Sequence, residues 1–72
     1  MNITIYGKAN CAGCDQAKNL MEAKGQEYKY VDITQNPEAM QMFRTRGFRA
    51  VPQIFDGEAH VGGVAELQTL VG

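Results

Sequence analysis

The chain has no tryptophan, one histidine, two prolines and two cysteines in 72 residues. Each shortage excludes something. Two thiols and the distant His60 fall short of the four ligands that a structural zinc site takes, so no metal is expected. Two cysteines are too few for the disulfide framework by which small secreted domains replace a core. No apolar run approaches the roughly 20 residues of a membrane span. Seven basic residues against eight acidic ones leave a net charge of −1, which draws neither nucleic acid nor a membrane surface. The first residues enter a strand pattern at once, so no leader peptide is expected. Nothing points to secretion, and in the reducing cytoplasm then expected a lone close cysteine pair is catalytic rather than structural.

What is present suffices for one core. The composition is 44% hydrophobic and 21% charged, which argues against disorder. Residues 1–72 are read as one domain, a monomer without linker, repeat or low-complexity segment. A chain of this size buries only about 60% of its unfolded surface. Its stability is expected on the order of 4–10 kcal/mol.

Asn2 to Tyr6 alternates polar and apolar residues and predicts a strand, with Gly7 to Asn10 as the turn. Cys14, Ala17, Leu20 and Met21 recur at helical spacing from about Ala12 to Lys24, and Gly25 fits the stop. Glu27 to Ile33 reads as a second strand, parallel to the first across the helical crossover. Asn36-Pro37 predicts an N-cap followed by proline at the first helical position. The second helix then runs to about Arg46 and buries Ala39, Met40 and Phe43. Gly47 stops it, with Phe48 placed for a hydrophobic cap contact. Gln53 to Asp56 and Ala59 to Val61 form a hairpin around Asp56-Gly57. Val64, Leu67, Leu70 and Val71 give the apolar face of a last helix. The order is β-α-β-α-β-β-α, an α/β fold.

The two cysteines form Cys11-Ala12-Gly13-Cys14, at the end of the first strand and the start of the first helix. That position carries chemistry. Unpaired N–H groups and the positive end of the helix dipole favour thiolate over thiol at Cys11. Cys14 shares the face of Ala17 and Met21 and should be covered, whereas Cys11 at the tip should be reachable. Lys8 adds positive charge near Cys11, and Asp15 opposes it. A thiolate with a second thiol one turn away can attack a foreign disulfide and then release itself. The remaining residues read blandly. Tyr6 is expected to pack on the sheet, His60 to face solvent, and Met21, Met40 and Met42 to fill core or surface. Arg44 and Arg46 complement the helix dipole at the solvated surface.

In Lys8, Cys11, Cys14, Val51-Pro52 and Gly62-Gly63, in that order and at about that spacing, the chain resembles the glutaredoxins over nearly its whole length. The resemblance implies a thioredoxin-like fold, with a four-stranded mixed sheet and three helices. It implies a cis bond at Val51-Pro52, which would leave the Val51 N–H and C=O free to pair with a bound peptide such as glutathione. It further implies that Lys8 contacts a glutathione carboxylate. Gly63 and the amides of Val64 and Ala65 would hold the γ-glutamyl carboxylate at the last helix start. Arg49 fits either the glycyl carboxylate or plain solvated surface. The chain departs from the family in three places. Ala12-Gly13 replaces the frequent Pro-Tyr, Ala50 replaces the usual threonine, and Ala65 stands where an acidic or hydroxyl residue is usual.

The expected function is a dithiol–disulfide oxidoreductase that uses Cys11 as nucleophile and Cys14 as resolving thiol, with attack of glutathione on the mixed disulfide as the other way to release the product. Glutathione would be the reducing co-substrate, and disulfide-containing or glutathionylated proteins the partners, ribonucleotide reductase among them. Three alternatives stand beside it. One is a redoxin reduced by thioredoxin reductase with weak glutathione binding. Another is a protein holding an iron–sulfur cluster with glutathione. The last is a non-catalytic binding module of the same fold.

Overall fold

The computed structural model describes residues 1–72. Its elements are β1 (Ile3–Gly7), α1 (Ala12–Ala23), β2 (Tyr28–Asp32), α2 (Pro37–Arg46), β3 (Gln53–Asp56), β4 (Ala59–Gly62) and α3 (Val64–Val71), in the expected order. The sheet runs β2-β1-β3-β4. β2 is parallel to β1, as a crossover through α1 requires, and β3 and β4 each run antiparallel to their preceding neighbour in the sheet.

Alternation in β1 separates two cores. Ile3 and Ile5 point to one face, where Ala17 and Met21 of α1, Ile54 of β3 and Leu67 of α3 pack on them. Tyr6 points to the other, where Ile33 and α2's Ala39 and Phe43 form a smaller cluster. Tyr6 lies on the sheet, edge-on to Phe43 and Phe55 at 6.2 and 5.7 Å between ring centroids.

Local chemistry sets the ends of α2. The Ala39 N–H donates to Asn36 Oδ1 at 3.0 Å, and Pro37 follows that cap. Gly47 takes φ 73°, and the Phe48 N–H reaches back to the Phe43 carbonyl at 2.9 Å. The Phe48 ring then meets Phe43 edge-on at 5.3 Å, which is the hydrophobic cap contact expected there.

Several boundaries and burials differ from the expectation. β1 continues through Gly7, which is buried. β2 spans Tyr28–Asp32, shorter at both ends than expected. Met40 is half-buried rather than buried, because Ala39 and Phe43, one turn apart, take the inner stripe of α2. Leu70 is 43% exposed. It lies about 60° round α3 from Leu67, on the side away from Val64 and Val71. The hairpin loop is Gly57-Glu58, since Asp56 already pairs with Ala59. Gly57 has φ 60° and Glu58 has no positive φ, the requirement of a type II′ turn with glycine first. No helix is long and apolar enough to cross a membrane.

Candidate active site

β1 carries the chain to Gly7, and Lys8 to Asn10 turn it into α1. Asn10 enters the left-handed region at φ 56°, the one non-glycine residue to do so. Short polar side chains tolerate that conformation best. Cys11 follows as the extended N-cap of α1, with φ −128° and ψ 107°. Its Sγ accepts the Cys14 N–H at 3.1 Å, so a sulfur stands where a serine or aspartate oxygen commonly caps a helix. The two cysteines form a disulfide, with Cα atoms 5.3 Å apart. Cys11 is half-buried and Cys14 fully buried, as their positions on the helix predict. Reducing this bond takes two electrons and two protons and leaves one reachable thiol beside one covered thiol.

Glycine makes the close packing of this turn possible. A Cβ on Gly7 would stand 2.6 Å from the Tyr30 hydroxyl oxygen and 2.7 Å from Cys14 Sγ. A Cβ on Gly13 would stand 3.1 Å from Pro52 Cδ. α1 therefore begins pressed between β1 on one side and the Val51-Pro52 segment on the other. The Val51–Pro52 peptide is cis. The Val51 carbonyl oxygen lies 3.9 Å from Cys11 Sγ, and neither Val51 N–H nor C=O enters a backbone hydrogen bond.

The fields around Cys11 oppose one another. The Cys14 N–H and the positive end of α1 favour a thiolate. The Val51 carbonyl oxygen presents a lone pair and favours the thiol. Asp15 was expected to counter Lys8, but Lys18 engages it in the single ion pair of the chain, Nζ to Oδ1 at 3.6 Å. Lys8 and Arg49 are exposed and make no ion pair.

At the start of α3, Gly62 takes φ 123° and Gly63 is the N-cap. Glu66 folds back so that its carboxylate accepts the Gly63 N–H at 2.8 Å. The Val64 and Ala65 amides remain beyond it in the first turn.

Five contacting side chains escaped the sequence reading. Gln53 Nε2 donates to the Ala50 carbonyl at 3.1 Å, and Gln53 Oε1 lies 2.7 Å from His60 Nε2. His60 is exposed as expected, yet its ring stacks on Phe48 at 5.0 Å. The Arg46 guanidinium lies over Phe55 at 5.0 Å and Phe48 at 5.6 Å, so it is more than a solvated dipole partner. Tyr30 donates its hydroxyl to the Lys8 carbonyl at 3.3 Å. The Glu66 cap alone had a sequence signal, an acidic residue three positions after the N-cap.

The glutaredoxin family profile matches residues 3–61. The glutaredoxin-like protein NrdH of Salmonella typhimurium is 36% identical over 63 residues, 88% of this chain and 78% of that protein. A glutaredoxin of Neisseria meningitidis serogroup A is 40% identical over 70 residues, 94% of this chain and 82% of that protein. The solved structure of NrdH-redoxin from Escherichia coli, a protein with a thioredoxin-like activity profile, superposes with a TM-score of 0.84 at 30% identity. That match covers 97% of this chain and 95% of that one. Fold, family profile and cysteine pair agree: the chain belongs to the glutaredoxin family of thiol–disulfide oxidoreductases and adopts its thioredoxin-like fold.

Proposed function

We propose that this protein carries electron pairs to protein disulfides through Cys11 and Cys14. Cys11 thiolate attacks a substrate disulfide; one substrate sulfur leaves with the electron pair and takes up a proton. The Cys11–substrate mixed disulfide is then attacked by Cys14, which forms the Cys11–Cys14 bond and releases the second substrate thiol. The carrying observation is the asymmetry of the pair. Cys11 Sγ is held by an amide at 3.1 Å on a half-exposed helix tip, and Cys14 is fully covered beside it.

The unpaired Val51 N–H and C=O beside Cys11 suit an extended peptide, which would add a short strand there. Lys8, Arg49, Pro52, Gly63, Val64 and Ala65 are the remaining residues for glutathione in this reading, with backbone amides in place of the absent acidic side chain at position 65. Recipients are disulfide-containing or glutathionylated proteins, ribonucleotide reductase among them. The protein works as a monomer in the cytoplasm and takes its electrons from glutathione.

One observation favours a second reading of the electron source. The Glu66 carboxylate occupies the Gly63 N–H, where a γ-glutamyl carboxylate would approach, and places like charge against it. The thioredoxin-like activity profile of the Escherichia coli relative points the same way. In this reading glutathione binds weakly and a thioredoxin-type reductase supplies the electrons. The test is NADPH consumption with a protein disulfide as acceptor, coupled either to glutathione and glutathione reductase or to thioredoxin reductase. Turnover in at least one system, abolished by Cys11→Ser, is expected. Turnover only with thioredoxin reductase selects the second reading. Absence of turnover in both contradicts the function.

A further inference from the structure

Cys14 is buried, and no charged or polar side chain of the chain is fully buried with it. Burial among apolar groups opposes ionisation of a thiol. Yet in the proposed mechanism Cys14 must lose its proton to attack the mixed disulfide on Cys11. One hydroxyl stands beside it. The Tyr30 oxygen and Cys14 Sγ lie 2.6 and 2.7 Å from a single point, the Cβ position on Gly7, and so at most about 5.3 Å apart, the sum of the two distances. The sheet register explains the approach. Tyr30 pairs with Ile5 in the parallel ladder and faces the same core. Its side chain therefore leans over Gly7, where no Cβ intervenes.

We infer that the Tyr30 hydroxyl is the hydrogen-bond donor that stabilises the Cys14 thiolate during resolution, a positioning role resting on the dithiol mechanism above. In the oxidised protein the hydroxyl bonds the Lys8 carbonyl at a long 3.3 Å. Reduction frees the Cys14 sulfur to turn toward it. The charged groups around the pair are few. On α1, Lys18 Nζ lies 4.3 Å from the centre of the Tyr30 ring and pairs with Asp15. In the β1–α1 loop, Lys8 offers its carbonyl while its side chain is exposed. Gly7 of β1 contributes no charge. A cation on the ring face makes the phenol a stronger donor. In the resolving step Cys14 thiolate attacks Cys11 Sγ. The Cys11–substrate bond breaks, the Cys11–Cys14 bond forms, and the electron pair leaves on the substrate sulfur, which takes a proton from water.

The experiment removes the one oxygen. In a Cys11→Ser protein, Tyr30→Phe is expected to raise the Cys14 titration midpoint by about one unit, read by thiolate absorbance. In a Cys14→Ser protein the same change is expected to leave the Cys11 midpoint nearly in place. Resolution of a Cys11 mixed disulfide at neutral pH then slows roughly threefold, because a tenfold loss of thiolate is partly offset by higher nucleophilicity. A readout without that substitution accompanies these: in the native reduced protein the ring-carbon resonance of Tyr30, and not those of Tyr6 or Tyr28, follows the Cys14 titration. An unmoved Cys14 midpoint, an equal shift at Cys11, or a silent Tyr30 resonance overturns the inference. The titrations need no turnover, so they can fail while the dithiol mechanism stands, and the reductase assays can fail independently of them.

Discussion

One helical turn separates a sulfur that caps a helix from a sulfur that lies under it, and the proposed roles of the two rest on this difference. Side chains can also be read by how folding changes their proton affinity. Tyr28 donates its hydroxyl to Glu22 Oε2 at 2.6 Å. That bond, then burial, then the Glu22 charge raise its pKa above the ordinary 10.0. A raised folded value means that the contribution to stability is complete below pH 10 and is lost as pH climbs through the folded value. Glu22→Gln should bring the Tyr28 titration back toward 10.0, read from its ring-carbon shift. Asp32 is the opposite case. The Thr34 hydroxyl at 2.6 Å and then its N–H at 2.9 Å hold the carboxyl below 3.8. Its stabilising effect is complete above 3.8 and fades as pH falls through the lower folded value. Thr34→Val, which removes the hydroxyl alone, should raise the Asp32 titration in a carboxyl-carbon experiment.

At the scale of elements, the caps and stops of α2 were legible because each is a local event within a few residues. Asn36, Pro37 and Gly47 act on the peptide groups next to them, and spacing alone identifies them. Asn36→Ala should cost about 1 kcal/mol of stability by chemical denaturation, with little change in thiol reactivity. The spacing places Gly7 in the turn, whereas it is the last residue of β1. Its neighbours Cys14 and Tyr30 arrive from α1 and β2, and periodicity reports faces but not what lies across them. The same limit hid the contact of Gln53 with Ala50, of His60 with Phe48 and of Arg46 with Phe55. Leu70 shows how periodicity itself misleads, for an eight-residue helix presents one buried residue and rims it with apolar neighbours.

Across the whole molecule, the sheet order β2-β1-β3-β4 puts the ends of two strands side by side. The C-terminal end of β1 delivers Cys11, and the start of β3 delivers the Val51-Pro52 segment against it. This convergence could be anticipated from Cys11, Cys14 and the Val-Pro and Gly-Gly pairs taken together, because their order matches a known family. The small scale of the domain makes its second core vulnerable. Phe43 is 4% exposed in a cluster of only three buried residues. Phe43→Ala should cost about 3–5 kcal/mol, a large share of the roughly 4–10 kcal/mol available to a chain of this length. A thermal melt should show a much lower transition. In the proposed division of labour Cys11 attacks and Cys14 resolves. Brief iodoacetamide treatment of the reduced protein at pH 7, followed by peptide mapping, separates the two sulfurs. Rapid labelling of Cys11 with Cys14 protected is expected; equal rates, or faster labelling of Cys14, would overturn that division.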